Sequence, residues 1–237
     1  MGRAYEVRKA SIQKTGAIKA KLYSMYAKEI YQSAKNGGLD PASNTSLKRL
    51  IDKAKANQVP SDIVKRAIDK VNSGIDENYT TLLYEGFGPG NSTILVEALT
   101  DNVNRAISNI RSYFTKCKSK LGAKGSVSYN YDHLCIISFS GLEEEAVLDA
   151  LINAEIEIND IETEEGSIII YGNPTDLHAI KQCILKLKSD VIFDMDEITR
   201  IAKERVTLCQ EDRVLFDKLI ANLDEDEDVQ NVYYNVE

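Results

Sequence analysis

The chain reads as α+β: an N-terminal three-helix bundle followed by two α+β sandwich domains, one of them ferredoxin-like. Three observations carry that expectation. Apolar residues recur at helical spacing through residues 1–72, and strand-like runs take over after residue 77. From residue 134 the elements follow one another as β-α-β-β-α-β, the split βαβ order. One further helix and one further strand remain at the C-terminus.

Within the first region, Ile18, Leu22, Met25, Tyr26 and Ile30 fall on one helical face. Gly37-Gly38 and Asp40-Pro41 end that helix. Leu47, Leu50, Ile51 and Ala54 give a second stripe. Pro60-Ser61-Asp62 opens a third helix, because proline suits a helix start, serine can cap, and aspartate favours the positive N-terminal end. Its buried face is Ile63, Val64, Ala67, Ile68 and Val71. Three short helices on short connections make a bundle.

Residues 80–85 and 92–100 are β-rich, and Gly86-Phe87-Gly88-Pro89-Gly90 joins them as a hairpin. A helix follows, with Ile107, Ile110, Phe114, Cys117 and Leu121 at 3-4 spacing and Asp101 or Asn102 as its cap. Residues 126–132 read as a strand. The ferredoxin-like series then runs as strand 134–139, helix 143–153, strands 155–162 and 167–171, helix 176–188, and an extended segment 191–208. The middle unit lacks one helix and one strand, which the C-terminal 211–223 and 229–236 can supply. The expected domains are therefore 1–76, a discontinuous 77–132 plus 207–237, and an inserted 133–206.

Charge is sorted along the chain. Residues 1–76 hold 15 Lys+Arg against 7 Asp+Glu, residues 77–125 hold 6 against 4, and residues 126–237 hold 8 against 26. The overall net charge of −8 describes neither end. A basic segment on an acidic chain suggests a polyanionic partner, since summed Lys/Arg fields speed encounter with phosphate polymers. The alternative is that each lysine simply solvates a helix face. At 43% hydrophobic and 28% charged, the composition is that of an ordinary globular protein. No apolar run approaches the ~20 residues that cross a bilayer, and the N-terminus has no signal-peptide core. A cytoplasmic protein is expected. The four cysteines lie far apart with no C-x-x-C pair, so reduced and mostly buried thiols are expected.

Signals for catalysis are missing. His133 and His178 have no partner at metal spacing. Gly86-x-Gly88-x-Gly90 joins two strands, whereas a phosphate loop must lead from a strand into a helix. Asp224-Glu225-Asp226-Glu227-Asp228 starts like an EF-hand, but Val229 stands where glycine is required and Asn235 where glutamate is. That run reads as a solvated connection from helix to strand.

The nucleic-acid signals are phosphate contacts. Lys14, Lys21, Lys28 and Lys35 recur every seven residues. Lys48, Arg49, Lys53 and Lys55 form a second group, and Arg3, Arg8 and Lys9 a basic start. Lys116, Lys118, Lys120 and Lys124 surround the end of the middle helix. Such residues position a protein on phosphates without reading sequence. A helix-turn-helix could lie within residues 39–72, but Arg49, Asn57, Gln58 and Arg66 make a thin base-reading set there.

Several motifs in order complete the sequence picture. They are Met1-Gly2-Arg3, the segment from Ala56 to Ile68, Tyr84-Glu-Gly-Phe-Gly-Pro-Gly90, Leu99-Thr-Asp-Asn-Val-Asn-Arg105, Gly125-Ser-Val-Ser-Tyr129 and Asp226-Glu-Asp-Val-Gln-Asn-Val-Tyr233. Over essentially its whole length the chain resembles the YebC family, which includes the mitochondrial translational activator of cytochrome c oxidase subunit one, and within it the YeeN branch. The resemblance implies an N-terminal helical bundle and two α+β domains. It implies a cytoplasmic, non-enzymatic regulator of gene expression, commonly described as DNA-binding and transcriptional. Some members look instead like translation factors acting at the ribosome on proline-rich nascent chains. A protein-interaction adaptor is a third alternative. The expected partner is nucleic acid, as DNA, RNA or the ribosome. No cofactor, metal, membrane or small-molecule substrate is expected. Two departures stand out: Tyr5 where members often carry tryptophan, and Lys118-Ser119 where many carry two glycines. Arg105 matches the family's motif at a helix start, where it either meets a partner or pairs with a nearby acid.

Overall fold

The computed structural model describes residues 19–74 and 77–237. In chain order the helices and strands are α1 (Lys19–Gly37), α2 (Thr45–Ala56), α3 (Ser61–Asn72), β1 (Thr80–Phe87), β2 (Thr93–Thr100), α4 (Val103–Lys116), β3 (Lys120–Leu121), β4 (Tyr131–Ser140), α5 (Glu144–Asn153), β5 (Ile158–Glu164), β6 (Ser167–Gly172), α6 (Leu177–Leu187), β7 (Phe193–Ala202), α7 (Gln210–Glu225) and β8 (Val229–Tyr234). They form two compact units: Tyr129–Glu204, and the described residues before Tyr129 together with Arg205–Glu237.

The bundle core is Ile30, Ala34, Leu47, Ala54, Val59, Val64 and Ala67. On α1 the core-facing row is Tyr23, Ala27, Ile30 and Ala34, spaced 4-3-4. Leu22 and Met25, expected on that face, lie half-buried outside it. Buried Asn44 caps α2: its Oδ1 accepts the Leu47 N–H at 3.0 Å, and its Nδ2 donates to the carbonyls of Ser33 and Gly38. At α3 it is Pro60 that takes the cap position, without a side-chain cap bond, and Ser61 is already helical.

The first sheet has strand order β3-β1-β2-β8. β1 and β2 pair from Thr80–Thr100 to Phe87–Thr93, and β8 returns from the C-terminus to pair Tyr234 with Ile94. Alternation puts Ile94, Val96 and Ala98 on one face, against Ile110 and Phe114 of α4 and Phe216, Leu219 and Leu223 of α7. Gly86 is required here: a Cβ would sit 2.2 Å from the Phe114 ring. Gly90 turns the hairpin at φ +61. The opposite face carries buried Leu95 and Leu99 with Glu97 between them.

The second unit has order β5-β6-β4-β7, antiparallel throughout, with α5 and α6 over one face. That is the ferredoxin-like arrangement, and the chain as a whole is α+β. Three local expectations are corrected. Residues 126–130 are not strand: Ser128–Asn130 is a short 3-10 turn and β4 starts at Tyr131. The reason is that Val127 and Ser128 donate their N–H groups to Glu85 and cannot join a ladder. β5 starts at Ile158, not Glu155, because the Glu155 and Ile156 N–H groups close the end of α5, with Glu155 at φ +55. The extended segment ends at Ala202, and beyond it only Val206 bridges to Val236.

Candidate nucleic-acid interface

α4 ends in a left-handed turn. Ser119 N–H reaches back to the Phe114 carbonyl at 2.9 Å, and Lys118 sits at φ +53, where glycine is the usual residue. Two-residue β3 then pairs with β1, and the following loop is held by one buried side chain. Glu85, 3% exposed, accepts N–H bonds from Gly125 at 2.6 Å, Val127 at 2.7 Å and Ser128 at 2.8 Å. Burial pushes this carboxyl up, but the three backbone donors outweigh it and hold it below the ordinary range. A fixed turn therefore presents exposed Lys116, Lys118, Lys120 and Lys124. Lys116 lies 5.9 Å over the Tyr113 ring and Lys120 5.7 Å over Phe87, which steadies both stems. Arg111, exposed on α4 before Lys116, lines the same surface groove and was not singled out in the sequence.

The lysine stripe of α1 is used differently. Lys21 Nζ donates to the Asp224 carbonyl. Lys28 Nζ donates to the Glu227 carbonyl at 2.8 Å and lies 3.4 Å from Asp228 Oδ1. Lys35 Nζ donates to the Glu77 carbonyl and to Asn78 Oδ1. The stripe thus meets the connection between α7 and β8 and the lead into β1. The acidic run is correspondingly not a solvated connection: Asp226 and Asp228 are buried. Asp226 accepts from Tyr113 and Asn109 and from the Asp228 N–H. Asp228 takes Arg105, so Arg105 pairs with acids here rather than standing free at its helix start. Asn102 is the cap of α4, its Oδ1 accepting the Arg105 N–H at 3.0 Å.

On α2, Lys48 and Lys55 are exposed, and Lys55 lies 3.7 Å from Asp52. Arg49 and Lys53 are half-buried, and burial raises the Glu29 carboxyl against the opposing pull of their charges. Arg3, Arg8, Lys9 and Lys14 lie outside the described residues. Asn57 spends its amide on the Tyr26 hydroxyl and the Lys53 carbonyl, which thins the base-reading set further. Glu85 was missed in the sequence. Its signal was a lone acid inside an apolar strand, followed by a glycine. Among the described residues no helix is long and apolar enough to cross a membrane, and no cluster of His, Cys, Asp and Glu could hold a metal.

Comparison with known proteins bears on the whole chain. A family model described as the TACO1/YebC N-terminal domain matches residues 3–74, and one described as the TACO1/YebC second and third domain matches residues 79–236. A protein of Alteromonas mediterranea is 43% identical over 235 residues, covering 99% of this chain and 98% of the relative. One from Chromohalobacter salexigens is 45% identical over 237 residues, covering 100% and 99%. Both are named probable transcriptional regulatory proteins. The crystal structure of a conserved hypothetical protein from Aquifex aeolicus matches with a TM-score of 0.75 at 33% identity, covering 95% of this chain and 93% of that one. Matching domains in order and relatives covered end to end make this chain a member of the TACO1/YebC family.

Proposed function

We propose that the chain is a non-enzymatic, cytoplasmic, nucleic-acid-binding regulator of gene expression that grips phosphates through the turn after α4. The observation that carries this is the turn from the end of α4 through β3 to the Glu85-bound loop, along which Lys116, Lys118, Lys120 and Lys124 are exposed on a hydrogen-bonded backbone. The α2 lysines Lys48 and Lys55 extend the same chemistry. The names of the relatives, probable transcriptional regulatory proteins, support regulation.

A second reading, a translation factor working on ribosomal RNA, is favoured by one observation. Asn57 donates its amide to the Tyr26 hydroxyl and the Lys53 carbonyl, which leaves Gln58 and Arg66 as the exposed members of a small base-reading set. Phosphate contacts serve RNA and DNA alike. The deciding experiment measures binding to a random duplex DNA library and to ribosomes in one buffer at physiological salt. Ribosome association with no enriched motif supports the translational reading. A single enriched DNA motif, with specificity above ~10³ and no ribosome association, supports transcriptional control.

A further inference from the structure

A cleft of about 410 Å³ opens between α1, α3 and the segment leading into β1. Half-buried Tyr23 and Tyr79 stand at its walls with buried Tyr31 behind them, and its cations are Lys28, Arg66 and Lys70. That volume is in the ~300–1,000 Å³ range of sites for small organic groups. The rings are held in place. Tyr31 and Tyr79 meet edge to face at 5.8 Å. The Tyr79 hydroxyl donates to Glu77 Oε2 at 2.8 Å, and the Glu77 N–H donates to the Tyr31 hydroxyl at 2.9 Å. Lys70 closes the arrangement by pairing with Glu77 Oε1, and its ammonium lies 6.0 Å from the Tyr31 ring centre. Lys28 lies 6.0 Å from the Tyr79 ring centre. Arg66, on α3, is exposed.

Aromatic walls beside fixed cations suit one ligand chemistry: a planar base attached to a phosphate. A base inside a duplex stack cannot enter a concave cleft, whereas an unstacked one can. We propose that this cleft receives a single unstacked nucleotide of an RNA strand, with the base against Tyr23 and Tyr79 and the phosphate toward Arg66 and Lys70. The proposal rests on the nucleic-acid reading above and adds a second, separate contact to it. The bundle then holds an unpaired nucleotide while the lysine turn grips backbone. Free nucleotides share the chemistry, so the test includes one.

The experiment uses the full chain and three probes: a ten-nucleotide single-stranded RNA carrying 2-aminopurine, the same RNA as a duplex, and AMP. Tyr23→Leu keeps an apolar side chain on the bundle, and Arg66→Glu changes an exposed position. Thermal melts like that of the unmodified chain establish that both fold. Each variant is expected to weaken single-strand binding by about tenfold, the scale of one lost base stack, and to leave duplex binding within about twofold. Displacement of the RNA by AMP identifies a free nucleotide as an equally good source; no displacement identifies the RNA strand. Unchanged single-strand binding in both variants, with loss on Lys116→Glu and Lys120→Glu, overturns the cleft while leaving the phosphate-contact function standing. No binding of any RNA by the unmodified chain overturns the cleft, and the phosphate-contact function then stands or falls on the binding of duplex DNA.

Discussion

Arg105 holds Asp228 with two parallel hydrogen bonds, Nε to Oδ2 at 3.0 Å and Nη2 to Oδ1 at 2.9 Å. The carboxylate is 3% exposed and the guanidinium 47%. Lys28 approaches the same carboxylate at 3.4 Å from α1. One acid in the α7–β8 connection thus ties together α1, α4 and the returning C-terminal strand.

Burial pushes the Asp228 carboxyl up, but the Arg105 hydrogen bonds and the Lys28 and Arg105 charges outweigh it, leaving it below the ordinary aspartate range. A depressed carboxyl stabilises above its unfolded pKa and loses that stabilisation as pH falls through the folded value. Asp228→Asn should cost roughly 2–3 kcal/mol at pH 7, discounted from a fully buried pair because Arg105 is half in water. In urea melts the gap between the two proteins should shrink below a pH of about 4. An equal gap at pH 7 and pH 3 contradicts this role.

Glu85→Gln tests the anchor of the lysine turn. The amide leaves at least one of three backbone donors without its partner, so a loss of about 2–4 kcal/mol is expected. Amide exchange at Gly125, Val127 and Ser128 should quicken first. Removing a negative charge would by itself tighten nucleic-acid binding. Weaker binding by this variant is therefore the expected sign of a loosened turn, and tighter binding shows that the turn's shape does not matter.

Lys118 occupies a left-handed cap position that favours glycine. Lys118→Gly should gain up to about 1 kcal/mol, read as a higher thermal midpoint. It should also lose one phosphate contact. A destabilised variant would mean that the lysine stem packs on the turn.

The domain division is a proposal that deletion can test. Removing residues 209–237 takes away β8 and α7, and with them Phe216, Leu219 and Leu223 from the core under β2. Near-UV circular dichroism should show collapse of the sheet around β1 and β2, while residues 133–206 expressed alone should fold. An unchanged melting profile after the deletion contradicts the proposal.

Local signals made much of the fold legible. Short periodic runs broken by glycine and proline gave the three bundle helices, and the alternation of strand and helix periods gave the β4-to-β7 unit. Asn102 was readable as a cap because a cap acts within three residues. What escaped reading depends on partners far along the chain. Val127, Tyr129 and Tyr131 alternate like a strand, yet Glu85, forty residues earlier, takes the intervening N–H groups. The seven-residue spacing of Lys21, Lys28 and Lys35 shows a face, but not that residues 224–228 and 77–78 would meet it. The acidic run looked solvated because its cations sit a hundred or more positions away. The turn after α4 was found as a cluster of lysines, without the carboxylate that shapes it.

The most direct measurement is the salt dependence of nucleic-acid affinity for the unmodified chain and for the quadruple variant Lys116→Glu, Lys118→Glu, Lys120→Glu and Lys124→Glu. Each phosphate contact contributes about 0.9 to the slope of log affinity against log salt on duplex DNA, and about 0.7 on single strands. The unmodified chain should lose affinity steeply between 50 and 200 mM salt, on the order of tenfold or more. The quadruple variant, folded as judged by its melt, should bind far more weakly, with a slope shallower by about 3. An affinity independent of salt, or one the four reversals leave intact, would contradict a phosphate-gripping turn at the end of α4.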